Sequence, residues 1–120
     1  MDWKLTDNRP IWIQLSEQLT RRIITGFYPP GSRLPPVREL AAEAGVNPNT
    51  MQRALAQLEQ DGLARADRTA GRLVTQDVPT LEKVRKAQAQ VIIRQYLDAM
   101  AELGYSGQEA RTILREEEST

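Results

Sequence analysis

VRELAAEAGVNPNTMQRALAQLEQDG, residues 37–62, decides the fold. The stretch divides into two helices around a tight turn. A short helix is predicted from Val37 to Ala44. Gly45 then ends it, because glycine takes a left-handed backbone at no steric cost. Asn47 suits an N-cap, and Pro48 suits the first helical position, where its missing N–H would be unbonded in any case. A second helix is predicted from Pro48 to Gln60, closed by Asp61-Gly62.

On the second helix the residue types split by face. Met51, Ala54, Leu55 and Leu58 fall at i, i+3, i+4 and i+7 and form one apolar stripe. Asn49, Thr50, Arg53 and Gln57 fall on the opposite side, which carries no carboxylate. Those groups match what a DNA major groove offers: arginine pairs with guanine, asparagine or glutamine with adenine, threonine with phosphate or a thymine methyl. Asn47 and Gln52 complete the candidate set on this helix. The geometry is that of a helix-turn-helix, whose second helix enters the groove N-terminus first. A helical hairpin with an ordinary polar outer face has the same pattern, so the segment after Gly62 decides between them.

That segment, LARADRTAGRLVTQDV, predicts a hairpin. Leu63 to Ala66 and Arg72 to Thr75 form two short strands, and Asp67 to Gly71 is a polar, glycine-containing tip. A hairpin directly after a helix-turn-helix is a wing. Its tip carries Arg68, Thr69 and Gly71 and is flanked by Arg65 and Arg72. An arginine at such a tip gains from the negative potential of a narrow minor groove.

Upstream, Ile11, Leu15, Leu19 and Ile23 recur every four residues, with Trp12 beside the stripe. They predict an amphipathic core helix that starts with Pro10 near its first position and ends at Gly26. Arg21 and Arg22 lie near its C-terminus, where cations suit the helix dipole. Phe27 to Pro36 reads as a loop, since its prolines and glycine forbid regular structure. Leu34 is a core plug beneath it. Arg33, before the second helix, and Arg38, in its first turn, are candidates for contact with the DNA backbone.

Composition narrows the function classes. The chain has 120 residues, 16 Lys/Arg and 16 Asp/Glu. The N-terminal 75 residues carry ten basic and eight acidic side chains, and the remainder six and eight. Nucleic-acid binding must therefore use locally placed arginines rather than bulk charge. Neither cysteine nor histidine occurs, which removes disulfides, thiolate chemistry, the usual zinc sites and imidazole catalysis. No metal, cofactor or catalytic residue is expected. Glu17, Glu39 and Glu43 read as solvated carboxylates. The N-terminus lacks a signal-peptide pattern and no apolar run approaches membrane-spanning length, so a cytoplasmic protein without membrane contact is expected.

Residues 10–75 resemble the winged helix-turn-helix of GntR-family bacterial transcription regulators. The linked pieces are PIWIQL, the helix ending at Gly26, PPGSRLPPVRELA, AGVNPNTMQRAL, LEQDGL and the G-x-L-V strand. The NPNT turn and the short remainder point to the YtrA-like subfamily. The resemblance implies backbone contact by Arg38, groove contact by Asn49, Thr50 and Arg53, and a role for the wing tip around Gly71. Two positions depart from the family pattern: Pro36 stands where serine is frequent, and Thr69 replaces the first of two wing glycines. Larger relatives carry an effector-binding domain after the wing. About 45 residues remain here, too few for such a cavity within one chain.

The fold class expected is thus mainly α with a small β-hairpin. A winged helix-turn-helix over residues 8–76 is followed by a two-helix dimerisation region over 77–120. A long helix is predicted from Pro79 to Leu103, with Leu81, Val84, Val91, Ile92, Tyr96, Ala99, Met100 and Leu103 on a broad apolar stripe. Ser106 to Glu109 matches a capping box, and a short helix follows with Ala110, Ile113 and Leu114 inward and a frayed, solvated Glu116 to Glu118 end. A helix of about 25 residues is roughly 37 Å long. One short partner helix cannot cover its stripe, so a second copy of the chain is the expected partner. The resemblance implies the same, because relatives of this kind dimerise through two C-terminal helices. A two-fold dimer sets two recognition helices on the half-sites of a palindromic operator. A small-molecule effector would find a candidate wall around Tyr96 and Met100, but plain interface packing explains those residues better, since apolar stripes at helical spacing are usually core.

The function expected is a homodimeric, sequence-specific DNA-binding regulator, a repressor, with double-stranded DNA as its partner. The alternative is a winged-helix module that binds proteins. Such a module would show an aromatic or aliphatic anchor on the outer face of its second helix, and this sequence has none there. An enzyme is not expected, since no catalytic constellation can be assembled.

Overall fold

The four-residue apolar recurrence near the N-terminus forms α1 (Ile11–Ile24) in the computed structural model, which describes residues 2–119. Leu15, Leu19 and Ile23 are buried on its inner face. Pro10 is the N-cap rather than a residue of the first turn, with an extended ψ of 133° and no capping side chain. The buried Gln14 anchors the chain ahead of it. Its amide donates to the carbonyls of Thr6 and Arg9, and its oxygen accepts from the Thr6 N–H, each at 2.8 Å. The segment ahead of α1 is thereby tied to the helix.

The deciding stretch folds as read. α2 (Val37–Ala44) ends at Gly45, whose φ of +71° is the left-handed geometry that favours glycine. α3 (Pro48–Gln60) starts at Asn47, whose side-chain oxygen accepts from the Asn49 N–H at 2.7 Å. Met51, Ala54, Leu55 and Leu58 are all buried, in the core that also holds Leu15, Leu19, Leu40, Leu63 and Val74. Burial of each large apolar side chain contributes about 1.5–3 kcal/mol, so this stripe fixes how α3 sits and which face it turns outward.

Two strands follow, β1 (Ala64–Asp67) and β2 (Gly71–Val74), paired antiparallel with Ala64 opposite Val74 and Asp67 opposite Gly71. Each begins and ends within a residue of its predicted limits. The loop of residues 27–36 departs from expectation, because part of it pairs with the wing. Arg33 forms an isolated antiparallel bridge with Leu73. Gly31 N–H donates to Val74 O at 3.0 Å, Leu34 N–H to Arg72 O at 2.9 Å, and Val74 N–H to Ser32 O at 2.8 Å. The prolines flank this short run without occupying its donor positions, so their missing N–H groups cost it nothing.

Arg22 stands in the last turn of α1 as expected. It is also a core residue, 2 % exposed. Its guanidinium lies 4.2 Å from the Trp3 ring centroid, 5.2 Å from Phe27 and 5.7 Å from Tyr28. It donates to the Tyr28 hydroxyl at 2.7 Å and to the Glu43 carboxylate at 3.0 Å, and the Trp3 indole N–H also donates to Glu43 at 3.1 Å. Burial pushes the Tyr28 phenol up from its ordinary pKa, against the stabilising Arg22. Glu43 therefore has a structural task, and Glu17 pairs with Arg9 at 2.9 Å. Neither is simply a solvated carboxylate.

By contact density the chain forms two units, one ending at Lys83 and one beginning at Val84. The first holds the winged helix-turn-helix. α4 (Val78–Glu102) begins in it, where Leu81 is buried. Leu81 is thus spent on its own chain's core and is not free to face a partner. In the second unit, α5 (Gly107–Glu118) starts with the capping box: Ser106 Oγ accepts from the Glu109 N–H at 3.1 Å, and Glu109 accepts from the Ser106 N–H at 2.9 Å. These bonds hold the Glu109 carboxyl below the usual carboxylate range. The Glu109 half of the cap is therefore fully made above that range and weakens as pH falls through the lowered value. Glu116 to Glu118 belong to the helix instead of fraying from it. Ala110 is buried, and its carbonyl accepts from the Tyr96 hydroxyl at 2.6 Å. The last position of the expected C-terminal region, 120, lies outside the described residues.

Candidate nucleic-acid interface

The outer side of α3 is built by the burial of its inner side. With Met51, Ala54, Leu55 and Leu58 in the core, Asn47, Asn49, Gln52 and Arg53 are exposed and Thr50 is half-buried. The first two turns therefore present amides, a hydroxyl and a guanidinium, with no carboxylate among them. Asn47 has spent its oxygen on the cap, which leaves its NH₂ donors for a ligand. Gln57 is less open than its helical angle implied. It is half-buried and donates to Asp61 one turn on, at 3.0 Å.

Arg53 is not free to sample all rotamers. Its guanidinium stacks on the Trp12 ring of α1, 4.1 Å from the centroid. Trp12 was legible only as an aromatic beside the α1 stripe. Its pairing with Arg53 joins residues 41 positions apart, and no local spacing announces it.

The expected backbone contacts lie at the other end of the helix-turn-helix. Arg38, in the first turn of α2, is exposed, and so is Arg33. A cleft of about 270 Å³ opens between the wing and the start of α2, lined by Arg33, Pro36, Val37, Asp67, Gly71 and Arg72. Gly71 has a φ of +83°, and a Cβ there would meet Arg33 Nε at 3.8 Å. Backbone geometry, more than space, calls for glycine at that position.

The wing tip is organised by Asp67, which sequence reading had left as a mere tip residue. Its Oδ1 accepts from the Thr69 N–H, the Thr69 hydroxyl and the Ala70 N–H, each at 2.9 Å. Aspartate at the start of a tight turn is the signal that could have revealed this. The Ala70 and Thr69 backbone bonds hold the Asp67 carboxyl below the usual carboxylate range, and the Thr69 hydroxyl adds to them. The turn therefore keeps its bonds at neutral pH and loosens only as pH falls through that lowered value. Thr69 is tied into the turn through its hydroxyl, while Arg68 is exposed at the tip. Arg65 lies 3.8 Å from Asp67. Arg72 is directed elsewhere: its Nε donates to Glu59 at the far end of α3, and its side chain is 21 % exposed. Arg72 braces the wing against α3.

The expected partner surface lies in the second unit. Val91, Ile92 and Ile93 are 56 %, 59 % and 55 % exposed, and Leu103 is 73 % exposed. Leu114 is also exposed, whereas Val84, Tyr96, Met100 and Ile113 are half-buried. Among the described residues, no helix is long and apolar enough to cross a membrane.

Comparison with known proteins gives this geometry a family context. The family model for bacterial regulatory proteins, gntR family, matches residues 13–74. The chain is 28 % identical over 109 residues to the HTH-type transcriptional regulator YhcF of Bacillus subtilis, covering 91 % of this chain and 90 % of that protein. It is 35 % identical over 71 residues to the HTH-type transcriptional repressor YtrA of the same organism, covering 59 % of this chain and 55 % of that one. Among solved structures, a GntR family transcriptional regulator from Listeria monocytogenes superposes with a TM-score of 0.86 at 30 % identity, over 93 % of this chain and 98 % of the other.

Proposed function

This chain belongs to the gntR family of bacterial regulatory proteins and is a YtrA-like, DNA-binding transcription regulator, not an enzyme; from that premise we propose that it acts in the cytoplasm as a homodimeric repressor on a palindromic operator. The observation that carries the DNA-binding assignment to particular residues is the division of α3. Its back is fully buried, and apart from Pro48 the exposed residues of its first two turns are groups that pair with base edges or phosphates. Asn49, Thr50, Gln52 and Arg53 read bases. Asn47, Arg33 and Arg38 hold the backbone, and Arg68 at the wing tip reaches the adjacent groove. The repressor reading draws support from the name of the YtrA relative. The dimer reading draws support from the exposed apolar run on α4.

Two substitutions separate base reading from backbone holding. Arg53→Ala is expected to cost about 1–3 kcal/mol on a selected operator duplex and to relax preference at one base position. Arg38→Ala is expected to weaken binding to all sequences alike and to reduce the slope of log K against log salt by about one unit. Fluorescence-anisotropy titrations across a salt series measure both. An Arg53→Ala protein with unaltered operator discrimination would show that the groove is read by other residues.

A further inference from the structure

We propose that Trp12 is a positioning residue for base recognition: it holds the Arg53 guanidinium over the face of its ring, so that arginine meets the groove already oriented. The proposal rests on the assignment of Arg53 to base reading. Its geometric basis is the 4.1 Å stack between residues on α1 and α3. A guanidinium is planar, with five N–H donors all in its plane. A ring face takes no conventional hydrogen bond, so a guanidinium held over it keeps its donors for a guanine O6/N7 pair. The same stack removes rotamers that a long, exposed side chain would otherwise sample. Ordering such a side chain at the moment of binding weakens an interface, and ordering it beforehand avoids that loss.

The burial pattern agrees. Trp12 lies in line with Leu15, Leu19 and Ile23 at i, i+3, i+7 and i+11, but it is only half-buried whereas those three are buried. Part of its ring therefore stays outside the core. Among the described residues no carboxylate pairs with Arg53, so the ring directs it without neutralising its charge toward DNA.

The test uses the full chain and a duplex recovered by selection from random-sequence DNA, with an unrelated duplex as the non-specific control. Trp12→Leu should lower affinity for the selected duplex about three- to ten-fold and leave the control unchanged. A repeated selection should lose preference at the base position that Arg53→Ala relaxes. Trp12→Phe, which keeps a ring face, should recover part of the loss. In an Arg53→Ala background, Trp12→Leu should have no further effect. An equal effect of Trp12→Leu in both backgrounds, or an equal loss on the control duplex, would overturn the positioning role while leaving Arg53 as the reader. Should Arg53→Ala itself leave discrimination intact, the groove assignment falls and the positioning role falls with it. Circular dichroism and melting check that Trp12→Leu folds. If it does not, the comparison of Trp12→Phe with wild type carries the same test, with a measurable loss confined to the selected duplex expected and none overturning it.

Discussion

Arg22→Ala is expected to destabilise the winged unit by about 3 kcal/mol, measured by denaturant unfolding of the full chain. The magnitude follows from what the side chain does. Arg22 is 2 % exposed, faces three aromatic rings, and donates to both Tyr28 and Glu43. Removing it opens a space among Trp3, Phe27 and Tyr28 and leaves the buried phenol without its donor. Glu43 loses its cation as well, but its side chain is 43 % exposed and regains water, so the orphaned charge adds little. Arg22→Lys should recover only a small part, because an ammonium lacks the planar face that the rings pack against. A loss under about 1 kcal/mol would mean the aromatic enclosure closes over the gap more completely than packed cores usually do.

Ile92→Asp is expected to convert the protein to a monomer and to lower operator affinity by about 100-fold or more. Ile92 is 59 % exposed within one chain. An aspartate there is therefore solvated in the monomer and leaves the fold intact, but it becomes a buried unpaired charge if a partner covers that surface. The loss of affinity is large because each half-site contact is then made separately, without the effective concentration that a linked pair provides. Sedimentation separates the oligomeric effect from the DNA effect. A mutant that remains dimeric, or a wild-type monomer that still binds its operator tightly, would exclude the C-terminal surface as the dimer contact.

The helix-turn-helix was legible because its signals are local. Gly45, the Asn47-Pro48 pair and the four-residue apolar stripe each act within one or two turns, and all three agree. The capping box at Ser106 was legible for the same reason. What escaped reading depends on residues far apart in the chain. The Arg22–Glu43 pair spans 21 positions, the Arg72–Glu59 brace 13, and the Arg33–Leu73 bridge 40. Charge type alone assigned Arg72 to DNA and Arg22 to a helix end, yet each is held by a carboxylate that only the folded chain brings near. Composition therefore identified the outer face of α3 more securely than the wing, where Asp67, Thr69 and Arg72 are partly occupied with one another and with α3.

Operator recognition requires the exposed side of α3 to enter a major groove. Dimethyl sulfate modifies guanine at N7, an atom that faces that groove. Protection mapped on a selected duplex should show guarded guanines in two half-sites one helical turn or a multiple of it apart. At least one in each half-site should become reactive when Arg53 is replaced by alanine. Protection that is absent from both half-sites, or identical for the two proteins, would contradict the placement of Arg53 and of the helix that carries it.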